Sequence, residues 1–106
     1  MNLDPMIHAP ARLQIMSLLA AADEAEFAFV RDTLDISDSV LSKHASALEK
    51  AGYVAIRKGH VGKRPRTWLK LTPEGRTAFT DYVATLQSIV GSPLTPSPPA
   101  DTAKAS

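Results

Sequence analysis

Apolar positions change their spacing several times along the chain, and each change marks an element. Leu13, Ile15, Met16, Leu18 and Leu19 form an apolar face too wide for a solvent-backed helix. This predicts a central packing helix from about Pro10 to Ala22, with Pro10 in the opening turn, where its missing donor costs nothing. Asp23-Glu24-Ala25-Glu26 breaks the pattern, and Phe27, Val30 and Leu34 then recur at the spacing of a two-turn helix. A three-residue connector, Asp35-Ile36-Ser37, leads to a helix capped by Ser37, running through Ala51 and ended by Gly52. At about 100° per residue, Leu41, Ala45 and Leu48 share one face of that helix, while Ser39, Lys43, Ser46 and Lys50 fall on the opposite one. Alternation over 53–58 and 67–71 predicts two strands of a hairpin with a loose tip between them. Thr72-Pro73-Glu74 is a strong helix start, with an N-cap, proline in the first turn and an acid near the positive end of the dipole, and Gly91 ends the helix after Val90.

The elements predict a mainly α domain with a small β-hairpin. At 106 residues and 44% apolar composition the chain supports one core. That domain is expected to occupy residues 1–91, and residues 92–106, with prolines at 93, 96, 98 and 99 among Ser, Thr and Ala, are expected to form a disordered tail. There is no cysteine, hence no disulfide framework or thiolate metal site, and no stretch of the ~18 apolar residues a membrane span needs. A cytoplasmic protein is the expectation. Charge changes the picture more. The formal net charge is only +1, yet nine Lys or Arg lie between Lys43 and Arg76 against Glu49 and Glu74, whereas residues 1–42 hold two basic and seven acidic side chains. A near-neutral chain thus carries a strongly positive half, laid out as a helix followed by a basic hairpin.

Helix, short helix, three-residue turn, longer helix and basic hairpin describe a winged helix-turn-helix. Leu41-Ser42-Lys43-His44, Leu48-Glu49-Lys50-Ala51-Gly52-Tyr53-Val54 and Leu71-Thr72-Pro73-Glu74-Gly75 resemble the compact winged-helix transcriptional regulators related to the MarR and ArsR families, over roughly residues 7–90. One departure is Asp35, where such proteins often place glycine in the turn, and aspartate tolerates the left-handed geometry better than most residues. The resemblance implies that the 37–51 helix enters the major groove of double-stranded DNA and that the 58–66 wing reaches phosphates or the minor groove. Ser39, Ser42, Lys43, Ser46 and Lys50 are the candidate contacts of the recognition helix, with Lys43 suited to guanine O6 and N7. Lys58, His60, Lys63, Arg64 and Arg66 are those of the wing, and Arg31 is a further phosphate candidate that could equally pair with Asp32 or Asp35. His44, on the flank of the buried stripe, reads as a packed histidine rather than a base contact.

Phe79, Tyr82, Val83, Leu86, Ile89 and Val90 recur at three-to-four spacing on the final helix, about 73–90, and are the candidate interface of a homodimer reading a pseudo-palindromic operator. Packing on the first helix is the competing use of that stripe, and the segment around Leu3, Met6 and Ile7 is a second candidate for the dimer contact. Trp68 fits either packing or exposure. No glycine-rich phosphate loop, paired carboxylates or nucleophile-plus-base arrangement points to an enzyme, and no metal or cofactor motif is visible. The rival reading is a winged-helix interaction module whose basic face meets an acidic partner protein.

Overall fold

The computed structural model describes residues 3–91; the expected tail lies outside them. The order is α1 (Pro5–His8), α2 (Pro10–Ala20), β1 (Ala25–Glu26), α3 (Phe27–Leu34), α4 (Asp38–Lys50), β2 (Val54–Val61), β3 (Arg64–Leu71) and α5 (Pro73–Val90). The fold is a winged helix: α2, α3 and α4 pack on a small antiparallel sheet of order β1-β3-β2, α1 packs on α2, and α5 packs against α2 and β3.

The wide apolar face of α2 has the predicted consequence. Ile15, Met16 and Leu19 are fully buried, and the helix touches α1, α3, α4, α5 and β3. Around it close Val30 of α3, Leu41, Ala45 and Leu48 of α4, Val54 of β2, Leu69 and Leu71 of β3 and Tyr82 of α5.

Both turns flanking α4 rest on left-handed residues. Asp35 has φ 53°, and the Ile36 amide reaches back to the Arg31 carbonyl at 3.2 Å, so the departure from glycine leaves the turn intact. Gly52 has φ 84°, and the Tyr53 amide donates to the Leu48 carbonyl at 2.9 Å in the same manner. Ser37 Oγ accepts from the Val40 amide at 3.1 Å, completing the helix's N-terminal cap.

The structure corrects the sequence reading in four places. The N-terminal segment is a short helix, capped by Asp4, whose Ile7 is fully buried in the same chain's core, so this residue is not available to a second copy. The helix α2 stops at Ala20, two residues early. Ala25 and Glu26, which break the apolar pattern, form a third strand paired with Leu69 and Trp68; two residues are too few to show a period. The hairpin tip is tight rather than loose: β2 and β3 pair up to Val61 and Arg64, joined by Gly62 and Lys63 alone, with Gly62 at φ 61° as the first loop residue.

Gly75 holds α5 against the start of the hairpin. Thr72 Oγ1 accepts from the Gly75 amide at 2.9 Å and donates to the Gly52 carbonyl, while the Thr72 amide donates to Tyr53 O at 3.1 Å. A Cβ at position 75 would stand 2.0 Å from Tyr53 O. Gly75→Ala is therefore expected to cost about 1–3 kcal/mol of stability through enforced backbone displacement, measured by urea unfolding. An unchanged midpoint would show that the contact relaxes freely.

Candidate nucleic-acid interface

With Leu41, Ala45 and Leu48 committed to the core, the opposite row of α4 has only solvent to face. Ser39, Ser42, Lys43, Ser46 and Lys50 are all exposed. Ser42 and Ser46 also look sideways into a groove of about 570 Å³ between α4 and the hairpin. Phe27, Ala45, Ile56 and Leu69 form its apolar floor, and Ser42, Ser46, Glu49, Lys58 and Thr67 supply polar groups. Periodicity gave no reason to include Glu49 and Thr67, because their placement depends on how the hairpin docks beside the helix.

Strand register divides the wing residues into two sets. Cross-strand partners share a face, and successive residues alternate. Val54↔Leu71 and Ile56↔Leu69 point toward the core, so Lys58↔Thr67 and His60↔Pro65 continue that face on the α4 side. Arg57↔Trp68, Gly59↔Arg66 and Val61↔Arg64 belong to the outer face. The five basic wing candidates therefore do not project as one patch: Lys58 and His60 sit on the inner face, Arg64 and Arg66 on the outer, and Lys63 in the turn.

The outer face is also where the acids of the N-terminal half arrive. Glu24 takes two hydrogen bonds from Arg57, at 2.8 and 3.1 Å, and Arg66 Nε lies 3.1 Å from Glu26. The Arg57 guanidinium stacks 4.0 Å from the centroid of Trp68, which gives that tryptophan a partly covered place on the sheet. The hydrogen bond from Arg57 holds the Glu24 carboxyl below its ordinary range. Arg31 bridges Asp32 at 2.8 Å and Asp38 at 2.9 Å, raising its already high pKa and tying α3 to the first turn of α4. Among the described residues, Lys43, Lys50, Lys58, Lys63 and Arg64 carry no such ion pair.

His44 sits at the other edge of α4, half-buried, with Nδ1 3.5 Å from Arg12 Nη1. Arg12, which sequence reasoning passed over, also donates from Nε to Met6 O and so links α1, α2 and α4. On α5, Tyr82 is buried in the chain's own core, its hydroxyl 2.9 Å from His8 Nδ1, so this member of the expected interface stripe is taken by internal packing. Phe79, Val83 and Leu86 are partly buried against the core, while Ile89 and Val90 are exposed at 53% and 44%.

A family model described as a winged helix DNA-binding domain matches residues 11–90. An uncharacterized protein of Methanocaldococcus jannaschii is 31% identical over 78 residues, covering 74% of this chain and 85% of the relative. The structure is similar to that of a transcriptional regulator homologue from Pyrococcus horikoshii, with TM-score 0.78 and 27% identity over 85% of this chain and 89% of the other. A winged helix-turn-helix domain from Mycobacterium bovis, described as homodimeric and a possible ArsR-family regulator, shares the fold with TM-score 0.65 and 21% identity over 79% of this chain and 75% of the other. A regulator of the MarR family is also among the similar structures.

Burial, then the charges of Arg12 and Lys43, push the His44 imidazole below its ordinary pKa of 6.5. The folded protein takes up this proton less readily than the unfolded chain, so stability rises with pH between the depressed native value and 6.5 and is lost as pH falls through that window. Urea unfolding of the protein and of His44→Gln at several values between pH 5 and 7.5 should show the native protein losing stability faster on acidification. Parallel curves would remove His44 as the cause.

Proposed function

The chain belongs to the winged-helix DNA-binding domain family, and from that premise we propose that it is a sequence-specific transcriptional regulator that binds its operator as a homodimer. The row of exposed hydroxyl and ammonium groups on α4, beside hairpin cations that form no ion pair among the described residues, carries the reading. In it, α4 lies in the major groove, where Ser39, Ser42, Lys43 and Ser46 meet base edges and Lys43 donates to guanine O6 and N7. Lys50, Lys58, His60, Lys63 and Arg64 attract the flanking phosphates, Arg64 from the tip. Arg31, held by two carboxylates, is a poorer phosphate contact than the sequence alone suggests.

The exposed end of α5 supports dimerisation, because Ile89 and Val90 continue a half-covered stripe that includes Phe79 and Val83. The M. bovis domain of the same fold is described as homodimeric, which supports a dimer without locating its interface. A two-fold dimer would read half-sites centred about one helical turn, roughly 10 bp, or a multiple of it, apart.

Selection of bound duplexes from a random pool tests binding, symmetry and spacing together; a pool that stays random sinks sequence specificity. Capture of an acidic protein with no duplex shifted at low salt would favour the interaction-module reading instead. Lys43→Ala should lose about 1–3 kcal/mol for each half-site of the selected duplex and relax preference at one base in each, whereas Arg64→Ala should weaken all duplexes alike. Equal losses for Lys43→Ala on selected and random DNA would remove it from base readout. Replacing Ile89 and Val90 by Asp should shift sedimentation from dimer to monomer at micromolar concentration; an unchanged profile places the interface elsewhere.

A further inference from the structure

The hairpin is a three-stranded sheet only at its base. Strand β1 ends at Glu26, opposite Trp68, and beyond that level β2 and β3 run on to Val61 and Arg64 as a two-stranded ribbon. Such a ribbon twists readily, so the direction of its tip is set by whatever braces the base. Two ion pairs lie at that level. Glu26, the last residue of β1, holds Arg66 of β3, and Glu24, just before β1, reaches across the sheet to Arg57 of β2, whose guanidinium covers Trp68. Both acids belong to the segment joining α2 to α3, and so to the body of the domain. The Arg66 side chain is only 32% exposed and lines a hollow with Glu26, Phe27 and Ala28, where α3 begins; it is folded back toward the body rather than outward. Gly59, opposite Arg66, leaves the space in which Trp68 lies, since a Cβ there would come within 3.2 Å of the ring.

We propose that Glu26 and Arg66 are positioning residues of the wing, a brace that aims the ribbon and its tip arginine Arg64 at the duplex, and that Arg66 is not a phosphate contact. This rests on the DNA-binding reading above. Ion pairs this exposed contribute little to stability, so their effect is on orientation, where holding the wing in its bound direction reduces the ordering cost of binding.

The test is the salt dependence of binding to a selected and a random duplex, with hydroxyl-radical footprinting of the half-site flank. Arg64→Ala should lower the slope of log K against log salt by about 1.8, the loss of one phosphate contact from each protomer of the dimer. Glu26→Gln and Arg66→Ala should each keep the slope, lose about threefold to tenfold on the selected duplex and weaken flank protection, with no further loss when combined. The charge exchange Glu26→Arg with Arg66→Glu should restore affinity, slope and footprint, which a phosphate contact would not permit. The brace is overturned if Arg66→Ala lowers the slope as Arg64→Ala does, if Glu26→Gln tightens binding by freeing the arginine, or if the exchange binds no better than its single variants. Failure of the unaltered protein to bind any duplex would instead remove the DNA-binding reading on which the brace depends.

Discussion

Burial of the Leu41–Ala45–Leu48 stripe orients α4 and, through it, the exposed surface and the hairpin. Once those three side chains are packed among α2, α3 and the sheet, helical geometry leaves the opposite row no position but solvent. The same packing sets the side of α4 from which the hairpin emerges, because Gly52 turns the chain immediately after the stripe ends and Val54 re-enters the core two residues later. An exposed row of serines and lysines is thus a consequence of core formation. Its polar residues lie outside the core, and the core residues beneath them fix their direction.

Electrostatics shape the surface by subtraction. The acidic N-terminal half does not stand apart from the basic half; it folds onto it. Glu24 and Glu26 meet Arg57 and Arg66 on the outer face of the sheet, and Asp32 and Asp38 hold Arg31 at the entrance to α4. Among the described residues, the cations without such a carboxylate partner include Lys43 and Lys50 on α4 and Lys58, Lys63, Arg64 and Lys70 on the hairpin, with Arg12 on α2 and Arg76 on α5 beside them. A net charge of +1 is therefore compatible with a locally positive surface, since charge in a long-range field counts by position rather than by sum.

Several side chains link the functional elements to the body of the domain. Arg12 joins the N-terminal turn to His44 on α4, His8 joins the same turn to Tyr82 on α5, and Tyr53 at the foot of the hairpin donates to Asp4. These contacts span from 6 to 74 residues in sequence. They connect the exposed helix, the hairpin and the terminal helix through one short segment whose Ile7 lies wholly in the core.

Helices α2 to α5, the caps Ser37 and Thr72 and the two left-handed turns were legible in the residues themselves, because a cap, a glycine stop or a three-to-four period is encoded within a few positions and responds to local sterics and hydrogen bonding. So was the exposed row of α4, which follows from periodicity once one face is apolar. The short strand β1 was not, nor were the division of the wing cations between two faces and the capture of Arg66 by Glu26 and of Tyr82 by the core. Each of those depends on which distant segment arrives alongside, and with what register. Local spacing was enough to mark α2 to α5 and the polar face of each; the pairing of charges and the direction of the hairpin came from the assembled fold, because segments 40 residues apart, as Glu26 and Arg66 are, are brought together by packing of the whole core rather than by any local period.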